Sequence, residues 1–237
     1  MMLSNQGYSL QIRQTVVEDV PILLRAYEDE SFIRLYRSNN AKLTEEQLTK
    51  ILSERAKRHP VKMGYLEFMI EHKQYGPIGL AALGDYTPMH KRAEFLLGLF
   101  EQQHRSRGHG AEAALLMLDL AFNNYHLQKI YTYVYAYNEL AQKSTVKFGF
   151  KQEGCLENHH YSTREKCFVN LYINGMTEKS FRQCDKIRRY ALRLVGRDIT
   201  QPYPVMIKLS KDNRVPIESS KRFLDGLRKM ANQPASA

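Results

Sequence analysis

The sequence predicts an α/β fold, in the broad sense that includes α+β folds, with a basic helical appendage at the C-terminal end. Runs in which apolar residues alternate are interspersed with runs in which they recur every three or four positions, which indicates strands and helices in one chain. Hydrophobic residues make up 43% of the 237 residues, enough for a substantial core. The three cysteines lack metal-site spacing, so we expect a reduced, cytoplasmic protein without a bound metal. No run of about 18 apolar residues and no signal peptide is visible, so we expect no membrane association.

The expected strands share a two-residue alternation of apolar and polar side chains. In the tyrosine-rich example, Ile130, Thr132 and Val134 alternate with tyrosines, which suits a strand with one face towards a core. In chain order the strands are expected at residues 8–13, 64–71, 78–83, 92–100, 128–137, 150–153 and 166–173.

The expected helices have apolar residues on one side and recognisable ends. Thr44 is a suitable N-cap for the second helix, and Gly149 and Gly196 can end the fourth and fifth in a left-handed conformation. In chain order the helices are expected at residues 19–27, 45–57, 108–123, 139–148, 185–195 and 216–230, with a short extended run at 203–209 before the last.

The segment Arg-Ser-Arg-Gly-His-Gly, residues 105–110, lies between an expected strand and an expected helix. The N–H groups of a first helical turn have no intrahelical partner, and the helix dipole favours an anion there. Glycine lets the backbone approach an anion closely because it has no Cβ, and the two arginines add positive charge. The segment therefore predicts a diphosphate site; the ordinary alternative is a turn that needs flexible backbone angles.

The spacing Arg105-x-x-Gly108-x-Gly110 resembles the acyl-CoA pyrophosphate signature of the GNAT superfamily of N-acetyltransferases. Asn138 lies 12 residues before Phe150, similar to an Asn…Gly-Phe segment of that family, and the strand around Glu94 resembles its RimJ/RimL and spermidine N-acetyltransferase branch. The resemblance covers about residues 8–178. It implies a mixed, mostly antiparallel sheet with helices on both faces, and acetyl-CoA as co-substrate for direct acetyl transfer to a primary amine.

The same resemblance implies roles for individual residues. The phosphates would lie on the loop, the pantetheine arm would follow the preceding strand, and an asparagine would bind that arm where two strands separate. These positions are Arg105, Ser106, Arg107, Gly108, His109 and Gly110 for the loop, Leu97, Leu99 and Phe100 for the strand, and Asn138. Glu94 is the implied general base, and its alternative is a surface carboxylate paired with Lys91 or Arg92.

The group that protonates the leaving thiolate stays open. The family often has a tyrosine seven residues after the asparagine, and this sequence has Thr145 there. Tyr135 and Tyr137 are substitutes that alternation alone cannot assign to a face, and water is another. The adjacent His159 and His160, in an expected loop, are not spaced as a zinc pair and are expected to be exposed.

Positive charge is concentrated at the C-terminal end. Residues 1–178, the expected acyltransferase domain, hold 21 Lys+Arg and 20 Asp+Glu, whereas residues 179–237, the expected appendage, hold 14 and 5. The apolar stripes of the appendage should bury against the domain or a second subunit, with basic faces outward. The residues concerned are Ile187, Leu194, Phe223 and Leu227. A homodimer is favoured, and a basic arm for nucleic acid or an acidic protein is the alternative.

The sequence thus favours an N-acetyltransferase whose acceptor is an amine. A polyamine is less favoured in a basic chain, while a protein N-terminus, an amino sugar and an amino acid remain open. The alternative function is a non-catalytic acyl-CoA-binding or regulatory module whose basic tail contacts nucleic acid or a protein partner.

Overall fold

One mixed sheet is the frame of the protein in the computed structural model, which describes residues 4–36, 43–57, 63–105 and 108–202. Within these residues the sheet has eight strands in the order β1-β2-β3-β4-β5-β6-β8-β7. Neighbouring strands are antiparallel except β5 and β6, which are parallel. The strands are β1 Ser4–Gln6, β2 Leu10–Gln14, β3 Leu66–His72, β4 Gly76–Thr87, β5 Arg92–Leu99, β6 Lys129–Tyr135, β7 Lys151–Ser162 and β8 Cys167–Thr177.

Helices cover both faces of this sheet, which confirms the predicted fold class. They are α1 Val20–Glu28, α2 Glu30–Tyr36, α3 Glu45–Lys57, α4 Gln102–Arg105, α5 His109–Asp119, α6 Glu139–Phe148, α7 Glu178–Arg182 and α8 Asp185–Leu194. Helices α1, α2 and α3 bury one apolar cluster against Met69 and Leu80. Helices α5, α7 and α8 bury the larger cluster on the opposite face, around Phe68 and Leu116. None of the described helices is long and apolar enough to cross a bilayer.

The start of α3 and the end of α6 lie where the capping residues in the sequence predicted them. The Thr44 hydroxyl accepts a hydrogen bond from the Gln47 N–H at 3.3 Å, and the Gln47 side chain accepts one from the Thr44 N–H at 2.9 Å, a reciprocal cap at the start of α3. Gly149 follows α6 with a φ of +119°, as a left-handed helix end requires.

Several elements differ from the sequence-based expectation. Strand β1 and helices α2, α4 and α7 were not expected. Strand β7 runs to Ser162, so the prediction of a loop at His159 and His160 was wrong, since both lie in the strand. His159 is exposed, as predicted, whereas His160 is buried. The register between β7 and β8 shifts between Leu156 and His160, and this irregularity breaks the alternation from which a strand is recognised.

The described part of the expected appendage packs on the domain. Ile187 is fully buried and Leu194 packs against the same core cluster, as predicted, whereas Phe223 and Leu227 lie outside the described residues. The ring of Phe181 is fully buried and stacks on Phe122 with 4.5 Å between centroids. The expected boundary after residue 178 therefore does not coincide with a gap in the packing.

We predict that Phe181→Ala lowers the free energy of unfolding by about 3–5 kcal/mol, because it removes a buried ring from the centre of the core. Leu192→Ala is the control, since 48% of Leu192 is exposed, and should change stability by less than about 0.5 kcal/mol. Urea unfolding of both variants checks this. Similar, small effects would mean that the segment after residue 178 does not stabilise the domain.

Candidate active site

A cavity opens where the two parallel strands of the sheet separate. Strands β5 and β6 are paired over only three residue pairs, from Arg92 with Lys129 to Glu94 with Tyr131. Beyond Glu94 the strands diverge, and a cavity of about 780 Å³ lies between them. Its walls come from α2, β5, the start of α5, β6 and α6. A cavity of this volume is large enough for a cofactor-sized ligand.

The β5 wall presents backbone polar groups to this cavity. The Phe100 N–H donates to the Ile78 carbonyl at 2.9 Å, so at this position the strand's polar groups point towards β4. Because these directions alternate along a strand, the N–H and C=O of Leu97 point the other way, into the gap. Leu97 and Leu99 both line the cavity. An extended ligand with amide groups can therefore pair with β5 as a strand would.

The glycine loop stands at one end of the cavity. Gly108 has a φ of +82° and directly precedes α5, and its carbonyl accepts the N–H of Ala111 at 3.0 Å, which closes the first turn. Arg105 is exposed, and its guanidinium donates to the Leu99 carbonyl at 3.2 Å. Arg105, Gly108 and Gly110 line the cavity, whereas Ser106 and Arg107 lie outside the described residues.

Two residues of the expected cofactor set lie away from the cavity lining. The Phe100 ring packs on Phe32 with 5.3 Å between centroids, on the α1–α3 side. The His109 ring is buried under the loop, 4.9 Å from the ring of His72 and 5.7 Å from that of His104. The structure gives no support to the side chains of Phe100 and His109 as cofactor contacts.

Asn138 caps helix α6 and also lines the cavity. Its side-chain oxygen accepts the Ala141 N–H at 3.2 Å, so the cap uses the acceptor half of the amide. The NH₂ half of the amide remains as the donor that a ligand in the gap can use. Helix capping and ligand binding are therefore compatible roles for this residue.

Glu94 is half-buried and lines the cavity, next to the last paired residues of β5 and β6. Among the described lining residues it is the sole carboxylate. The position thus combines partial burial with access to the cavity, which is what a general base for a bound amine needs.

The structure separates the tyrosines of β6 that line the cavity from Tyr137, which follows the strand and is not among the lining residues. Tyr133 and Tyr135 line the cavity. The Tyr137 hydroxyl instead donates to the Arg34 carbonyl at 3.1 Å, and the Arg34 guanidinium lies 4.5 Å from the Tyr137 ring centre. From α6, the lining includes the hydroxyl-bearing Thr145.

Tyr135 is held between two rings. It stacks on Tyr137 with centroids 5.1 Å apart and lies 4.5 Å from the ring of His160. Burial lowers the pKa of His160, and His159 beside it lowers it further, so the His160 imidazole is neutral at neutral pH. Sequence reasoning missed His160, because strand pairing and not local pattern brings it here.

Helix α2 forms the remaining wall and was also missed. Phe32 and Tyr36 lie so close to β5 that a Cβ at Gly98 would stand 2.6 Å from a Phe32 ring carbon and 3.0 Å from a Tyr36 ring carbon. Glycine is therefore required at position 98 for the helix to approach. The spacing of Phe32, Leu35 and Tyr36, three and four residues apart, is the sequence signal that indicates such a helix.

Comparisons with known proteins agree with this geometry. Residues 9–151 match the family described as Acetyltransferase (GNAT) domain. A relative from Bacillus subtilis (strain 168), named "Uncharacterized N-acetyltransferase YoaA", is 24% identical over 166 residues, which are 69% of this chain and 91% of the relative.

Solved structures share the fold. Spermidine N-acetyltransferase from Vibrio cholerae in complex with CoA and spermine has a TM-score of 0.65 at 19% identity, over 73% of this chain and 97% of that one. A dodecameric structure of spermidine N-acetyltransferase from the same organism, in an intermediate state, has a TM-score of 0.62 at 18% identity, over 73% and 96%. Since the family match spans more than half of the sequence, the chain belongs to the GNAT acetyltransferase family and is an acyltransferase that moves an acetyl group from acetyl-CoA to an amine.

Proposed function

We propose that acetyl transfer takes place in the cavity between β5 and β6, by direct attack of a primary amine on the thioester. The observation that carries the proposal is that one cavity is lined by Glu94, by Leu97 and by three residues of the glycine loop, which are Arg105, Gly108 and Gly110. The diphosphate would lie on the N–H groups at the start of α5, near Arg105. The pantetheine arm would run along β5 and accept a hydrogen bond from Asn138.

Each chemical requirement of the transfer then has a group in the cavity. Glu94 takes a proton from the ammonium of the acceptor, directly or through water, which frees the nitrogen lone pair. The nitrogen attacks the thioester carbon, and the Leu97 N–H stabilises the negative charge that develops on the carbonyl oxygen. The C–S bond breaks, and the thiolate leaves with the bonding pair and takes a proton from a nearby acid. The attacking nitrogen releases its remaining extra proton to water, which leaves a neutral amide.

For that acid we propose Tyr135. The side chain carries a phenolic O–H, which can give its proton to a thiolate. Tyr135 lines the cavity and its ring is fixed by Tyr137 and the neutral His160. Thr145, at the position where the family often has a tyrosine, offers an aliphatic hydroxyl, which is a much weaker acid.

The threonine at position 145 also favours a second candidate function, an acyl-CoA-binding module with little or no catalysis. Its basic C-terminal end would then contact nucleic acid or an acidic protein. Release of free thiol from acetyl-CoA in the presence of amines separates the two functions, because a binding module releases none above background.

Location and assembly are proposed on more general grounds. Three cysteines without disulfide partners suit a reduced, cytoplasmic protein. A homodimer remains our proposal for the assembly; the dodecamer described for the Vibrio cholerae enzyme supports self-association of this fold in general.

We predict that Gly108→Glu weakens CoA binding at least about tenfold, or about 1.4 kcal/mol. The φ of +82° at Gly108 disfavours any side chain, and the added carboxylate repels a diphosphate. Gly64→Glu carries the same charge change at an exposed site where a Cβ meets no atom within 4 Å, and should bind CoA normally. Isothermal titration calorimetry decides, and equal affinities would remove the loop from the proposal.

We predict that Glu94→Gln lowers turnover by roughly 10²–10⁴-fold and leaves CoA affinity unchanged. A base must be unprotonated to act, so the wild-type rate falls as the pH falls through the pKa of the base, and the variant should lose this acidic limb. Glu157→Gln, at an exposed residue away from the lining, is the matched control. A Glu94 variant within threefold of the control would mean that the base lies elsewhere.

We predict that Tyr135→Phe lowers turnover by roughly 10²-fold, because it removes the O–H that gives its proton to the thiolate. Tyr137→Phe serves as control, since its hydroxyl donates to the Arg34 carbonyl and does not face the cavity. If Tyr135→Phe keeps the wild-type turnover, water or another side chain protonates the thiolate.

A further inference from the structure

The side chain of Glu94 lies on the face of the sheet that helices α1, α2 and α3 cover. Side chains on β5 alternate between faces: Leu97 packs with the α5 side, whereas Leu96 packs with the α1–α3 side. Glu94 is two residues from Leu96 and therefore shares its face. An amine bound at Glu94 thus extends along the wall built by α2, where the lining side chains are Phe32, Leu35 and Tyr36.

This wall offers no second carboxylate among the described lining residues. Three other carboxylates of the described residues are engaged in contacts of their own. Glu67 is 1% exposed and accepts from the Tyr27 hydroxyl at 2.6 Å. Asp85 binds Arg92 and the Tyr131 hydroxyl, and Glu165 pairs with Arg34 at 3.2 Å.

Two of the segments outside the described residues are basic in sequence. Residues 37–42, directly after α2, contain Arg37 and Lys42 and neither Asp nor Glu. Residues 58–62 contain Arg58 and Lys62 and likewise no acid.

A ligand with two or more ammonium groups would place its second charge against this apolar and aromatic wall. Removing a cation from water without a carboxylate partner costs more than a contact with the face of an aromatic ring returns. A ligand with one ammonium group avoids this cost, and its carbon skeleton gains from burial against Phe32 and Leu35.

We infer that the acceptor is a primary amine with a single ammonium group and an apolar carbon skeleton, selected by Glu94 and the α2 wall, and not a polyamine. This inference rests on the proposed function, since it places the amine at Glu94. It sets the chain apart from the Vibrio cholerae neighbours, which are described as spermidine N-acetyltransferases.

Hexylamine and 1,6-diaminohexane test it, because they have the same length and differ only in the second ammonium group. At about pH 7.5 both are protonated. With the full chain and acetyl-CoA, kcat/KM from thiol release should be at least about tenfold higher for hexylamine. Equal values, or a preference for the diamine or for spermidine, would overturn the inference and leave the proposed function intact. Failure to acetylate either amine while CoA still binds would overturn both.

A variant of the α2 wall tests directly whether this wall selects the charge of the acceptor. Leu35 lines the cavity and is 37% exposed, so a polar side chain is tolerated there. Leu35→Glu supplies the missing carboxylate, and Leu35→Gln is its uncharged control. Relative to Leu35→Gln, Leu35→Glu should raise the ratio of kcat/KM for diamine over monoamine at least about tenfold. An unchanged ratio would show that the α2 wall does not select the charge of the acceptor.

Discussion

The short parallel pairing of β5 with β6 is the constraint on which the site depends. It is the sole parallel contact in the described sheet and extends over three residue pairs. Because the strands separate after Glu94, backbone groups at Leu97 that would otherwise pair with β6 face a cavity. Residues of the first turn of α5 and of the capped end of α6 line the same cavity, and in the proposed function these groups contact the diphosphate and the pantetheine arm.

The second determinant is the packing of α2 over β5. Its aromatic rings approach the strand at Gly98, where even a Cβ would collide, and they close the side of the cavity onto which Glu94 opens. In the proposed reaction, backbone groups and a helix terminus hold the acetyl donor, while the acceptor meets apolar and aromatic side chains with one carboxylate. This asymmetry allows a common donor site to coexist with an acceptor site that is particular to this chain.

Local features of the site could be predicted from the sequence, and long-range ones could not. Gly108 with its positive φ, the cap at Asn138 and the position of Glu94 on a strand follow from spacing over a few residues, so the motif located them. The contact between His160 and Tyr135 could not be predicted, because it depends on the pairing of β7 with β8, which continues beyond a register shift between Leu156 and His160. Tyr135 and Tyr137 could not be told apart, because the strand ends at Tyr135 and the alternation that separates faces ends with it.

Hydrogen–deuterium exchange tests whether CoA lies along β5 in the gap between β5 and β6. Exchange of amides would be followed by mass spectrometry with and without CoA. We expect slower exchange on CoA addition in peptides that cover residues 93–100, which include the amide of Leu97 at the open edge, and in peptides that cover residues 108–116, at the start of α5. Peptides from β1 and β2, at the far edge of the sheet, should be unchanged. Protection confined to other segments, with unchanged exchange at residues 93–100, would show that CoA does not bind along β5.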